Sequence, residues 1–185
     1  MTCNHFNAFD SFAIQLAYES AQLHGRELYR VIREGNYTSF PGFYGFLMRN
    51  CNTLPLSSNI HTMKKFMAGV DGLLKDGHLI LVYPEQSMWW NYRKPKPTKQ
   101  GAFRFAAMYG FPVVPTFITM RKTDELNAEG DAIQAYTLHI LDPIYPKPEL
   151  GVKDNTAYLQ QEHDAAWKRV YETSYGIPLE YETQA

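Results

Sequence analysis

The sequence predicts an α/β domain in which a mixed, mainly parallel sheet is flanked by helices. Amphipathic segments with a helical apolar period alternate along the chain with short aliphatic and β-branched runs, the pattern of helices laid on a sheet. The run His78–Tyr83 (His-Leu-Ile-Leu-Val-Tyr) reads as a buried strand that leads straight into Pro84-Glu85. The 185 residues are 45% hydrophobic and 20% charged, enough for one sizeable core. No repeat, low-complexity segment or linker interrupts them, so residues 1–185 are expected to form a single domain.

Taken in order, Asp10 to about Leu23 predicts a helix capped by Asp10, with Phe12, Leu16, Leu23, Ala13 and Ala17 on its apolar face and Gly25 as its stop. Glu27–Arg33 alternates as a strand does. Gly42–Asn50 predicts a short apolar helix, and Thr53–Leu56 a short strand. Ile60–Lys75 is an amphipathic helix that Ser58 or Asn59 can cap and Gly77 ends. After a long polar loop come a helix at Gly101–Tyr109, a strand at Val113–Met120, a polar excursion from Arg121 to Asp131 and a strand at Ala135–Leu141. Pro143–Pro148 cannot continue a sheet. Asn155–Tyr175 is a final helix with Leu159, His163, Ala166, Trp167 and Val170 on one side. His5–Asp10, Pro84-Glu85 and Val114-Pro115 all fall near strand ends, where open α/β sheets collect ligands, so three polar loops are expected to converge on one crevice.

The bulk properties exclude several classes. No apolar run reaches the ~20 residues that span a bilayer, and no basic segment followed by an apolar core marks a secretory signal. Cys3 and Cys51 make no disulfide framework and are expected as buried, reduced thiols. No Cys/His cluster has zinc spacing. The net charge is only -1, but it is unevenly placed: Gln86–Thr123 holds Arg93, Lys94, Lys96, Lys99, Arg104, Arg121 and Lys122 with no acidic residue. The other 11 basic and all 19 acidic residues lie outside that window, a balance of -8. Such asymmetry points to an anionic ligand or an anionic membrane surface.

The chemistry is legible in Asn4-His5-Phe6-Asn7-Ala8-Phe9-Asp10. An imidazole titrates near neutrality and can take a proton from an alcohol. A carboxylate on its far nitrogen fixes the tautomer and stabilises the imidazolium that forms. The pair alone is a weak signal, because placing 6 His among the aspartates at random nearly supplies it. Further blocks strengthen it: the strand ending in Tyr83-Pro84-Glu85, the helix start Lys99-Gln100-Gly101-Ala102, and Val113-Val114-Pro115.

In this order the blocks resemble the glycerolipid acyltransferase family of the lysophosphatidic acid acyltransferase type, over Asn4 to Thr119. The resemblance implies a glycerol-3-phosphate acyltransferase-like fold. It implies His5 as the base that deprotonates a glycerol hydroxyl and Asp10 as its orienting carboxylate. The oxygen attacks the thioester of acyl-CoA or acyl-carrier protein, a co-substrate, with no cofactor and no metal. Asn4, Glu85, Gln86, Ser87, Arg93 and Lys99 are the expected substrate-binding residues. The implied acceptor is a lysophospholipid used in phospholipid biosynthesis, at the cytoplasmic inner face of a membrane, with no nucleic-acid partner. Trp89, Trp90 and Tyr92, beside Arg93, Lys94 and Lys96, suit the headgroup region of a bilayer.

Three departures from the family pattern are expected to matter. Gln86-Ser87-Met88 stand where Gly-Thr-Arg is usual, and Ser57-Ser58 where an arginine is usual, leaving Arg49 or Arg93 to compensate. Only Met1-Thr2-Cys3 precede Asn4, so a truncated amino terminus and an exposed sheet edge are expected. The alternatives are a thioester hydrolase in which His5 activates water, an inactive membrane-binding fragment, and a Cys3/His5 nucleophilic dyad.

Overall fold

Helices and strands alternate as α1 (Asp10–Ser20), β1 (Leu28–Arg33), α2 (Glu34–Ser39), α3 (Gly42–Asn50), β2 (Thr53–Leu56), α4 (Ile60–Lys75), β3 (Leu79–Leu81), α5 (Gly101–Tyr109), β4 (Thr116–Leu126), β5 (Ala132–Ile140) and α6 (Val152–Tyr175). The structure, a computed structural model, describes residues 1–7 and 10–181. Ala8 and Phe9, inner spacers between His5 and Asp10, lie outside the described residues, as do residues 182–185 of the expected domain. The contacts gather into two compact units, one of Met1 and Gln15–Val82, the other of Thr2–Ile14 and Tyr83 onward.

In the first unit β2, β1 and β3 form a parallel sheet in that order, with Arg30 opposite Thr53 and Leu28 opposite Leu79. Parallel neighbours need crossovers, and α2 to α4 supply them. The side chain of Asn59, one of the two expected caps, accepts from the N–H groups of His61 and Thr62 at the start of α4. Beside β3, the Met1 nitrogen donates to the Ile80 carbonyl at 2.7 Å and Val82 N–H donates to the Met1 carbonyl at 3.0 Å. Helix α2 escaped the sequence reading because Glu-Gly-Asn-Tyr-Thr-Ser has no apolar period, and none of its residues is buried. Arg49 is spent here, donating to the carbonyls of Tyr37 and Phe40, and Ser57 donates to Glu34 at 2.6 Å. Cys51 is exposed, against expectation: it caps α3 with its backbone N–H and leaves its thiol outside.

In the second unit β4 and β5 form an antiparallel pair, with Thr116 opposite Ile140. The stretch Arg121–Leu126, expected as an irregular excursion, continues β4. Its residues are mostly exposed, so the ribbon has no core face and needs no apolar alternation. Asn127 closes the ribbon: its side chain accepts from the N–H groups of Glu129 and Asp131, and Gly130 takes φ +86°. Helix α6 begins at Val152, and Asn155 folds back to bond Lys147 and Leu150. The apolar face expected of it is the observed one, with Leu159, His163, Ala166 and Trp167 buried. Phe117, Trp167, Tyr171 and Leu179 form one cluster, and Phe103, Ala106, Val113 and Leu159 another. Each large side chain so buried is worth about 1.5–3 kcal/mol of transfer free energy.

Helix α1 corrects one expectation. Phe12, Leu16 and Leu23 are exposed, whereas Asp10 and Ile14 are buried. Positions i and i+4 share a helix face, so turning Asp10 inward turns Ile14 inward with it and sends Phe12 and Leu16 outward.

Candidate active site

His5 and Asp10 meet in the second unit. His5 Nδ1 lies 2.6 Å from Asp10 Oδ2; the carboxylate is 1% exposed and the imidazole 28%. An ionised carboxylate only accepts, so the neutral ring carries its proton on Nδ1 and presents the Nε2 lone pair. Among the described residues Nε2 has no partner. Phe6 N–H also donates to Asp10 Oδ2, at 3.2 Å. Asp10 opens α1, where the helix dipole favours a negative charge.

Tyr83 completes this pair and was missed as a site residue. Its hydroxyl donates to Asp10 Oδ1 at 2.9 Å, and its ring stacks on the His5 ring with centroids 4.3 Å apart. Burial, and after it the Asp10 charge, hold the phenol well above its ordinary pKa, so it remains a donor. With that proton given to Asp10, Ser11 Oγ donates to the Tyr83 oxygen at 2.6 Å. The only sequence signal was a hydroxyl at the end of an otherwise apolar strand.

Glu85 binds the backbone on both sides of the site. Oε1 accepts His5 N–H at 2.7 Å and Oε2 accepts Lys96 N–H at 2.5 Å, with the residue 3% exposed. Burial pushes its pKa up to about 7, outweighing the two backbone donors and the His5 and Lys96 charges. Trp89 N–H to the His5 carbonyl and Asn91 N–H to the Phe6 carbonyl add main-chain bonds between the same two segments.

The other expected site residues divide. Asn4 is buried with both amide atoms on Ile118: it accepts Ile118 N–H at 2.7 Å and donates to the Ile118 carbonyl at 3.0 Å. Its amide is therefore an anchor to β4. Ser87 receives Lys96 Nζ at 2.9 Å, and the same ammonium lies 5.0 Å from the Trp89 ring centroid. Gln86 adopts φ +58°, the left-handed region where glycine is at ease, and its side chain lies toward Gly101. Lys99 donates its backbone N–H to Pro84, and its side chain is exposed. Arg93 turns to the Tyr175 ring instead, 5.3 Å from its centroid.

Behind this segment Thr2 Oγ1 meets His163 Nε2 at 2.9 Å, and His163 Nδ1 meets Asp164 Oδ1 at 3.0 Å. Burial lowers the His163 pKa, with Asp164 opposing, so the ring is neutral and accepts the Thr2 proton. Thr2 also pairs with β4 from its own end: Thr2 N–H donates to Val114 and Thr116 N–H donates to Thr2. Cys3 offers no nucleophile. Its thiol is fully buried, directed at Asn4 Oδ1 and held protonated by burial and by the Asp10 charge.

The comparisons bear on the fold and the family. The chain superposes on the crystal structure of the 1-acyl-sn-glycerophosphate (LPA) acyltransferase PlsC from Thermotoga maritima with a TM-score of 0.60 and 19% identity. The match covers 98% of this chain and 67% of that one, and supports the α/β fold with a parallel three-stranded sheet and flanking helices. No curated protein shows significant sequence similarity. The Acyltransferase family model matches residues 1–119, which hold His5, Asp10, Tyr83 and Glu85, and this chain therefore belongs to the acyltransferase family.

Proposed function

We propose that this chain transfers a fatty acyl group from acyl-CoA or acyl-carrier protein to a hydroxyl of a lysophospholipid acceptor, as a step of phospholipid synthesis at a membrane surface. The observation that carries the mechanism is the 2.6 Å contact between His5 Nδ1 and the buried Asp10 carboxylate, with Nε2 unpartnered among the described residues. His5 Nε2 accepts the proton of the acceptor hydroxyl as its oxygen bonds to the thioester carbonyl carbon. The carbon–sulfur bond then breaks, and the sulfur leaves with the proton that His5 took. The acceptor is itself the nucleophile, so no acyl-enzyme forms. Asp10 stabilises the transient imidazolium, while Tyr83 and Phe6 N–H hold Asp10. Glu85 and Asn4 fix the backbone that carries His5, and so position the base without touching substrate. The likeness to a lysophosphatidic acid acyltransferase supports a phosphorylated acceptor.

The test is thiol release from an acyl-CoA with and without lysophosphatidic acid. Release that depends on the acceptor and yields diacyl product supports transfer. Full-rate release without acceptor overturns it in favour of hydrolysis. Positioned general-base help is worth about 10²–10⁴-fold, so His5→Ala is expected to lose that much turnover while remaining folded.

A further inference from the structure

The acid-free window noted in the sequence has a structural counterpart away from His5. Arg93 and Arg121, from its two ends, line one cleft of about 280 Å³ with Thr119, Thr137, Ser174 and Tyr175. The arginines are held differently. Arg93 lies over the Tyr175 ring, and that ring is fixed because its hydroxyl accepts Met120 N–H at 2.9 Å. Arg121 is the next residue of β4 and is exposed. Among the described residues neither is in an ion pair. The last turn of α6 adds partial negative charge worth about half an elementary charge, so two guanidiniums leave the cleft net positive. Each guanidinium offers a planar fork of donors that matches two oxygens of a phosphate. Thr137 and Ser174 add hydroxyls at the same walls.

Sequence neighbours of three lining residues bond the His5 segment. Asn91, two residues before Arg93, bonds Phe6. Ile118, next to Thr119, bonds Asn4, and Tyr136, next to Thr137, receives Asn7 Nδ2 at 3.3 Å. A strand rises about 3.3 Å per residue, so Arg121 lies about 10 Å along β4 from the Asn4 anchor.

We propose that the cleft between Arg93 and Arg121 is a binding site for a phosphate monoester. The site needs no acyl transfer to exist; only its assignment to one of two substrates rests on the transfer reading. The test is calorimetric titration with inorganic phosphate at fixed ionic strength, on the wild-type chain and on His5→Ala, Arg93→Gln and Arg121→Gln. Saturable binding is expected, equal in His5→Ala and about tenfold or more weaker in each arginine variant. Absent binding, or binding unchanged in Arg121→Gln, overturns the proposal. Both arginines are exposed, so an unchanged melting temperature certifies the variants.

Kinetics of Arg121→Gln then identify the source of the phosphate. A raised KM for lysophosphatidic acid but not for monoacylglycerol assigns the cleft to the acceptor. A raised KM for acyl-CoA but not for its 3′-dephospho form assigns it to the donor. Unchanged KM values, with phosphate bound by the wild type and weakened in the variant, assign it to free phosphate. If no acyl transfer is found at all, the transfer reading fails and the phosphate titration still decides the cleft.

Discussion

Two side chains set the working geometry of His5 from behind it. Tyr83 contributes one hydroxyl to Asp10 and one ring face to the imidazole. Tyr83→Phe keeps the ring and removes the donor. A hydrogen bond to a charged group is worth about 1.5–3 kcal/mol, so turnover is expected to fall roughly tenfold or more, with KM little changed. Steady-state kinetics check this; wild-type turnover in the variant would deny Tyr83 a part in holding Asp10. Glu85 supplies a pH signature. Its folded pKa of about 7 exceeds the ordinary 4.5, so between those values the folded protein holds a proton that the unfolded chain has released. The wild type is therefore expected to lose stability, relative to Glu85→Gln, as pH rises from about 5 to about 8. The glutamine has one acceptor oxygen for two backbone donors, so it is also expected to lose activity at every pH. Thermal unfolding across that range, together with activity, reads both effects.

At the scale of elements, the turn after β3 carries a local backbone cost. A left-handed residue other than glycine costs about 1–2 kcal/mol, and Gln86 sits there at φ +58°. Gln86→Gly is expected to stabilise the fold by about 1 kcal/mol, after allowing for the greater chain entropy of glycine, and chemical denaturation measures it. This turn also shows what the sequence could express. Pro84-Glu85 marked the strand end and a candidate carboxylate, but nothing local said that the carboxylate faces two main-chain donors. Helices α4 and α5 were legible because their apolar periods match their burial. Helix α2 and the outer half of the β4–β5 ribbon were not, because segments without a core face carry no such period. The α1 face was misjudged for a specific reason: Asp10, paired with His5, took the inward position that hydrophobicity assigned to Phe12 and Leu16.

Over the whole molecule, the basic window falls within the second unit, and none of its seven cations is in an ion pair among the described residues. Trp90 and Tyr92 are more than half exposed beside it. No described helix is long and apolar enough to cross a membrane. If the proposed function holds, the chain is expected to float with vesicles containing anionic lipid and to be released by salt, as the Debye length shrinks from about 10 Å at 0.1 M to about 3 Å at 1 M. Trp90→Ala is expected to weaken that binding. Equal flotation with purely zwitterionic vesicles, insensitive to salt, would contradict it. The sequence held the charge asymmetry in full view, but which cations stand together is a property of the chain path: Arg93 and Arg121 adjoin only because the loop returns to β4.

The bonds that fix the histidine segment also carry a consequence for assembly in time. His5 reaches Glu85 across 80 residues, Asn4 reaches Ile118 across 114, and Thr2 reaches His163 across 161. Contacts of such sequence separation close late, because each must overcome the entropy of a long loop before it is rewarded. On the ribosome, His5, the proposed base, emerges long before the helix that braces its segment. The enzyme is therefore expected to become competent only as α6 docks, so that a nascent chain displays an imidazole but no geometry for using it.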